Sequence, residues 1–253
     1  MQRVFITGAS SGIGAALALS YARRGAQVAL VGRRREALEA VAAQMTHSAP
    51  VIYDLDVRDR DALHAAAHDF LSQGPVDIVI ASAGISVGTL TEEVDDFAVF
   101  RAIQDTNLLA TVATFEPFVA AMRARRSGRL VGIASVAGVR GLPGAGAYSA
   151  SKAAVRAYCE SLRVELHGSG VKVVTISPGF IRTPMTSRNP YRMPFLMDVE
   201  NFARHALRHI DRGTSHVVIP WQMGVVATLL RAVPDWLYDR VAAGRERKPR
   251  QGE

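Results

Sequence analysis

Short apolar, β-branched runs recur along the chain, separated by longer amphipathic stretches. The runs are Val4-Phe5-Ile6, Val28 to Val31, Val51 to Tyr53, Val76 to Ile80, Leu130 to Ala134, Val171 to Ile176 and Val217 to Ile219. Each has strand length and composition. Between most of them lie helix-length segments, such as Gly12 to Arg24 and Arg34 to Met45, whose apolar residues recur at three and four. Gly25 follows the first helical pattern, Gly74-Pro75 precedes the fourth run and Gly170 the sixth, where chain reversals are needed. This alternation predicts one α/β domain of Rossmann type: a doubly wound, mainly parallel seven-stranded sheet with helices on both faces. Residues 1–243 are expected to form it. Residues 244–253 are basic and read as a frayed tail.

Composition fits that reading and narrows the partners. A chain of 253 residues that is 49% hydrophobic and 21% charged can bury a sizeable core in one α/β domain. The net charge of +7 raises the possibility of nucleic acid. However, the basic residues stand in separate short groups (Arg23-Arg24, Arg33 to Arg35, Arg123 to Arg126, Arg240 to Arg250) without a nucleic-acid motif, so no such partner is expected. Cys159 is the only cysteine, which excludes an intramolecular disulfide or a thiol metal cluster within one chain and leaves packing as its expected role. No metal site is expected. The N-terminus lacks the long apolar region of a signal peptide and no later stretch approaches membrane-spanning length, so a cytoplasmic location is the expectation.

The first strand runs into Thr7-Gly8-Ala9-Ser10-Ser11-Gly12-Ile13-Gly14, with a helix behind it. Glycines here let main-chain N–H groups approach a pyrophosphate, and the helix presents its positive end to the phosphates. At the end of the second strand, where an acidic side chain would bond the ribose hydroxyls of NAD, the chain has Gly32-Arg33-Arg34. Guanidinium groups can grip a 2′-phosphate bidentately, whereas a carboxylate would repel it. NADP(H) is therefore expected over NAD(H). The competing reading, a solvated helix start, sets cations against the helix dipole.

The spacing of this turn, glycine, three residues, then Gly-x-Gly, resembles the single-domain branch of the short-chain dehydrogenase/reductase family. The resemblance extends through ordered motifs from Thr7 to about Thr183. It implies that Asp56-Val57, after the third strand, borders adenine. It also places Ala81-Ser82-Ala83-Gly84 where the family has Asn-Asn-Ala-Gly; the first two positions depart from the pattern, and Ser82, Ala83 and Gly84 are expected to keep its shape. Pro178-Gly179-Phe180-Ile181-Arg182-Thr183 is similar to the family's nicotinamide-contacting loop, with backbone around Ile181 and the Thr183 hydroxyl reaching the carboxamide.

Ser135 ends the fifth strand, and Tyr148 and Lys152 stand four apart in the helical pattern that follows, on one face. All three match the family's serine, tyrosine and lysine in order and spacing. A phenol can give a proton to a carbonyl oxygen and take it back from an alcohol, but its pKa near 10 must fall by about 3, or about 4 kcal/mol, to serve at neutral pH. The Lys152 ammonium and oxidised nicotinamide are expected together to supply that depression, and by the resemblance Lys152 bonds the nicotinamide ribose. Ser135 would hold the substrate oxygen. Asn107 matches the family's asparagine that anchors water behind the lysine; the competing reading is that it satisfies buried backbone at an irregular helix turn, and the two roles can coexist.

Pro184 to Met197 carries Met185, Tyr191, Met193, Phe195, Leu196 and Met197. The resemblance implies a mobile substrate lid near 184–200, whose methionine and aromatic groups could line an apolar pocket; they could equally be ordinary packing. The expected activity is that of a carbonyl reductase or alcohol dehydrogenase on a small molecule. A non-catalytic NADP-binding scaffold is the alternative, disfavoured by the intact tyrosine and lysine. An epimerase or dehydratase of the family's longer branch is disfavoured by chain length and glycine spacing. The segment Trp221 to Arg250 combines apolar side chains (Trp221, Met223, Val225, Val226, Leu229, Leu230, Trp236, Leu237) with Arg240, Arg245, Arg247, Lys248 and Arg250, which are expected to be solvated. Packing in a homodimer or homotetramer is expected there over peripheral contact with an anionic membrane.

Overall fold

In the computed structural model, every residue is described except His47, Ser48, Arg188, Arg245, Gln251 and Glu253. Seven strands form one sheet: β1 (Arg3–Thr7), β2 (Gln27–Gly32), β3 (Val51–Asp54), β4 (Ile78–Ala81), β5 (Gly128–Ile133), β6 (Val171–Pro178) and β9 (His216–Ile219). Two short strands, β7 (Ile181–Arg182) and β8 (Met197–Asp198), pair apart from it. The large sheet has the order β3-β2-β1-β4-β5-β6-β9 and all of its pairings are parallel. It is the doubly wound arrangement the alternating pattern predicted.

Neighbouring residues on a strand serve opposite layers. Val4 and Ile6 on β1 point into one core with Leu17 and Tyr21 of α1 (Gly12–Ala22), Leu38 of α2 (Arg35–Ala42) and Phe202 and Ile210 of α7 (Val199–Arg212). Phe5 points the other way, against Phe70 of α3 (Arg60–Ser72) and Phe118 of α5 (Ala110–Ala124). The Phe5 ring lies 5.0 Å from that of Phe118 and 6.0 Å from that of Phe70. Cys159, on α6 (Gly146–Glu165), is fully buried in this second core, and burial pushes its thiol up to about 11, so it packs as an inert apolar group.

Some boundaries differ from the sequence pattern. The fourth strand begins at Ile78 rather than Val76, because Asp77 turns its carboxylate to accept the Arg3 N–H at 2.8 Å. The β7–β8 pair, Ile181 with Met197 and Arg182 with Asp198, has no periodicity to announce it; it clamps the two ends of the expected lid. Beyond β9, α8 (Trp221–Ala232) and α9 (Asp235–Ala242) bury little: Met223 and Ala227 pack inward, while Trp221 is 71% and Trp236 70% exposed.

The basic tail corrects an expectation. Residues 247–250 are docked rather than frayed, and Lys248 and Arg250 are partly buried rather than solvated. Arg250 donates to Asp96 at 2.9 Å and pairs with Glu93 at 3.2 Å; Lys248 donates to the Ser86 hydroxyl at 2.8 Å. The pattern that suggested fraying was composition alone, which does not show that a carboxylate on α4 (Asp96–Gln104) waits for a guanidinium. Arg240 and Arg247 are exposed as expected, and Arg245 lies outside the described residues.

Candidate active site

The sheet reverses its winding between β1 and β4, and there the loops at the strand ends diverge to leave a crevice. Register aligns these ends: Thr7 pairs with Val31 and Ala81, Ala81 with Gly132, and Ile133 with Ile176. A cavity of about 300 Å³ opens on that edge. Its wall holds Gly8, Ser10, Ser11, Gly12, Ile13 and Gly14 from the β1–α1 turn, Arg33 and Arg34 after β2, and Asp56 and Val57 after β3. Ser82, Ala83 and Gly84 after β4, Ser135 after β5, Tyr148 and Lys152 on α6, and Pro178, Gly179, Ile181 and Thr183 after β6 also line it.

Two of the expected residues stand behind the wall. Thr7 is buried, and its hydroxyl accepts the backbone N–H groups of Ser82 and Ala83 at 3.2 and 3.4 Å, so it braces the neighbouring loop rather than facing the crevice. Asn107 is fully buried in a π-helical turn, Asp105–Leu109, between α4 and α5. Its Oδ1 accepts the Ile85 N–H at 2.8 Å, and its Nδ2 donates to the Ile85 carbonyl at 3.0 Å and the Ser151 hydroxyl at 2.9 Å. Both amide hydrogens are thus used by protein.

The glycine turn is as tight as a phosphate cradle requires. Gly8 has φ +69°, and a Cβ there would lie 2.7 Å from the Ala83 backbone; a Cβ on Gly14 would collide with the Gly8 carbonyl. Side chains are excluded where a pyrophosphate would need to approach backbone N–H groups at the start of α1. Arg34 donates to the Ser10 hydroxyl at 3.5 Å. Among the described residues lining the cavity, Asp56 is the only carboxylate. Arg58 binds it through side-chain hydrogen bonds of 2.6 to 3.1 Å and holds it below the usual carboxylate range, with Arg33 adding to the effect from 3.9 Å. The wall can therefore accept an anionic group beside Arg33 and Arg34. These residues fit a dinucleotide.

At the other end of the crevice, Ser135 has an extended backbone and accepts the Ala137 N–H at 3.1 Å, capping the short 3₁₀ turn Val136–Gly138. Its hydroxyl also hydrogen-bonds the Tyr148 side chain. Lys152 is buried, donates to the Ile133 carbonyl at 2.8 Å, and lies 5.9 Å from the centre of the Tyr148 ring. Burial pushes the Lys152 ammonium down to about 8. Burial also raises the Tyr148 phenol above its ordinary value, while the Ser135 hydroxyl acts the other way and the Tyr191 phenol adds to the rise. In the chain by itself desolvation outweighs the Ser135 hydrogen bond, and the phenol is raised.

The sequence reading did not place Leu55, Ile85, Thr106, Ile133, Ala134 or Thr186 in this wall. Pro184 and Met185, which also line it, belong to the expected lid segment. Thr186 donates to the Ile181 carbonyl at 2.6 Å and accepts the Thr183 N–H at 3.1 Å, a local turn that no motif marks.

The sequence profile of the short chain dehydrogenases matches residues 2–192. The chain belongs to the short chain dehydrogenase family. Members of this family are oxidoreductases that use a nicotinamide cofactor, act on small molecules and often oligomerise. An oxidoreductase of Myxococcus xanthus is 39% identical over 244 residues, covering 95% of this chain and 96% of that protein. The crystal structure of a short-chain dehydrogenase from Streptomyces avermitilis superposes with a TM-score of 0.82 at 25% identity, over 97% of this chain and 99% of that one. That of levodione reductase gives 0.79 at 26% identity, over 88% and 98%. Among the described residues, no helix of this short chain dehydrogenase is long and apolar enough to cross a membrane.

Proposed function

We propose that this short chain dehydrogenase is an NADP(H)-dependent reductase of small carbonyl compounds, or a dehydrogenase of the corresponding alcohols, with Tyr148 as the proton donor and acceptor. The observation that carries the reading is the gathering of Ser135, Tyr148 and Lys152 in one crevice with the glycine turn and Arg33-Arg34. When bound, the nicotinamide supplies or accepts the hydride. The Ser135 hydroxyl donates a hydrogen bond to the substrate oxygen, and the Tyr148 proton passes to that oxygen as negative charge develops. Lys152, held by the Ile133 carbonyl, offers its positive charge to the phenolate left behind. Asn107 fixes Ile85 and, through Ser151, the start of α6. The likeness to levodione reductase supports a carbonyl substrate. The test is NADPH oxidation across aldehydes, ketones and acyl-chain carbonyls. Stoichiometric consumption with one of them supports the reading; NADPH binding with no turnover on any would favour a scaffold.

The preference for NADP(H) rests on Arg33 and Arg34 beside a carboxylate already neutralised by Arg58. Losing charged hydrogen bonds to a 2′-phosphate costs about 1.5–3 kcal/mol, or roughly ten- to a hundred-fold. Arg33→Ala is expected to weaken NADPH by that factor and leave NADH nearly unchanged, as read from the two dissociation constants. An unchanged ratio excludes Arg33 as the discriminating residue.

The exposed side chains of α8 and α9, Trp221, Val225, Leu229, Trp236 and Val241, support an oligomer contact on that face. Sedimentation with anionic vesicles at low and high salt is expected to leave the protein in the supernatant. Salt-sensitive pelleting would assign the face to a membrane instead.

A further inference from the structure

The docked tail reaches the two loops that border the candidate catalytic centre. Residues 85–90 follow Gly84 at the end of β4, and residues 136–147 lead to Tyr148. Gly88 donates its N–H to the Pro249 carbonyl at 2.9 Å and pairs in parallel with Arg250. The next residue, Thr89, donates to the Gly144 carbonyl at 2.9 Å and pairs with Ala145, three positions before Tyr148. Tail, first loop and second loop are thus laced side by side. The fit is close: a Cβ on Gly88 would lie 2.8 Å from the Pro249 oxygen and collide with that of Lys248.

Ionic contacts fix this lacing. The Asp96 side chain is only 7% exposed; it accepts the Leu90 N–H at 2.7 Å and the Arg250 guanidinium at 2.9 Å. Asp96 therefore joins the end of the first loop to the tail, and without Arg250 its charge would be left poorly compensated in a desolvated place. The preceding helices are tied to the second loop as well. Arg140 donates to the Val233 carbonyl and to Asp235, both at 2.9 Å, and the Tyr238 hydroxyl donates to the Gly141 carbonyl at 2.6 Å.

We propose that residues 247–250 act as a positioning element for the reaction assigned above: through Arg250 and the Pro249 carbonyl they hold both loops and so shape the entrance by which substrate reaches Ser135 and Tyr148. Arg250 and Asp96 are positioning residues; neither lines the crevice. The tail contacts described above lie at the substrate end of the site, whereas the dinucleotide end is built from the β1–α1 turn and Arg33, so substrate and cofactor binding are expected to respond separately.

The test compares the full chain with Arg250→Ala, Arg250→Lys and a chain ending at Gly244. In Arg250→Ala and the shortened chain, hydrogen exchange of amides in 86–90 and 142–147 is expected to speed up about ten-fold or more while that of β1 and α1 stays unchanged. On the best carbonyl of the panel, KM is expected to rise about ten-fold with kcat and the NADPH dissociation constant within about two-fold. Arg250→Lys should recover part of both effects. Unaltered exchange in both loops in the shortened chain would overturn the proposal. So would faster exchange with no change in KM, or a loss of NADPH affinity matching the loss for substrate. If the full chain reduces no carbonyl, the catalytic reading fails, and exchange in the two loops alone decides whether the tail holds them.

Discussion

Replacing Tyr148 by phenylalanine is expected to lower turnover in NADPH-driven carbonyl reduction by about 10²–10⁴-fold, the range for removal of a positioned general acid. NADPH affinity should stay within about two-fold. The substitution keeps the ring that lies 5.9 Å from the Lys152 ammonium and removes the one atom that can pass a proton to the substrate oxygen. Ser135 cannot take over, because its hydroxyl gives up too weak an acid; it can only stabilise charge as it forms. Single-turnover kinetics with bound NADPH, together with a binding titration, separate the two quantities. Residual turnover within about ten-fold of the parent would remove Tyr148 from its assigned role.

Lys152→Met is expected to damage turnover and cofactor affinity together, each by about ten-fold or more, because the ammonium is assigned both the phenolate and the cofactor ribose. The pH dependence gives an independent signature. Burial pushes this ammonium down to about 8, so it is charged below that pH and neutral above it. Reductive kcat/KM should therefore fall as pH rises through about 8, and the variant's profile should lack that limb. Stability moves the other way. An unfolded lysine stays protonated up to about 10.5, so between about 8 and 10.5 the unfolded state binds more protons and the folded state gains with rising pH. Lys248, also pushed down to about 8, shares that behaviour, so the informative quantity is the difference in urea midpoint between parent and variant across the window. A difference independent of pH would mean that Lys152 is not a buried ammonium.

The sheet was legible because its strands sit between two helical layers and read as near-continuous apolar runs, such as Val28 to Val31. The crevice was read for a different reason. Gly8 and Gly14 occupy positions where backbone meets backbone, and Tyr148 and Lys152 are one helical turn apart, a spacing that is weak by itself and gained weight from the resemblance, which supplied Ser135 and the order of the motifs. What escaped depended on contacts between distant segments. Arg250 and Asp96 are separated by 154 positions, and neither carries a local signature of its partner. The burial of the Tyr148 phenol escaped for a related reason: a helical repeat places the lysine nearby but says nothing of how much protein surrounds the ring.

The chain has two tryptophans, Trp221 and Trp236, and both stand on the outer face of the last two helices with about 70% of their surface open. Their emission should accordingly sit near that of indole in water even in the native state. Intrinsic fluorescence is then a poor gauge of unfolding in this protein, since denaturant changes the surroundings of neither ring by much. The same property makes the two indoles natural reporters of whatever covers that face. A shift to the blue that grows with protein concentration alone would signal a second copy, and one that appears only when vesicles are added would signal lipid.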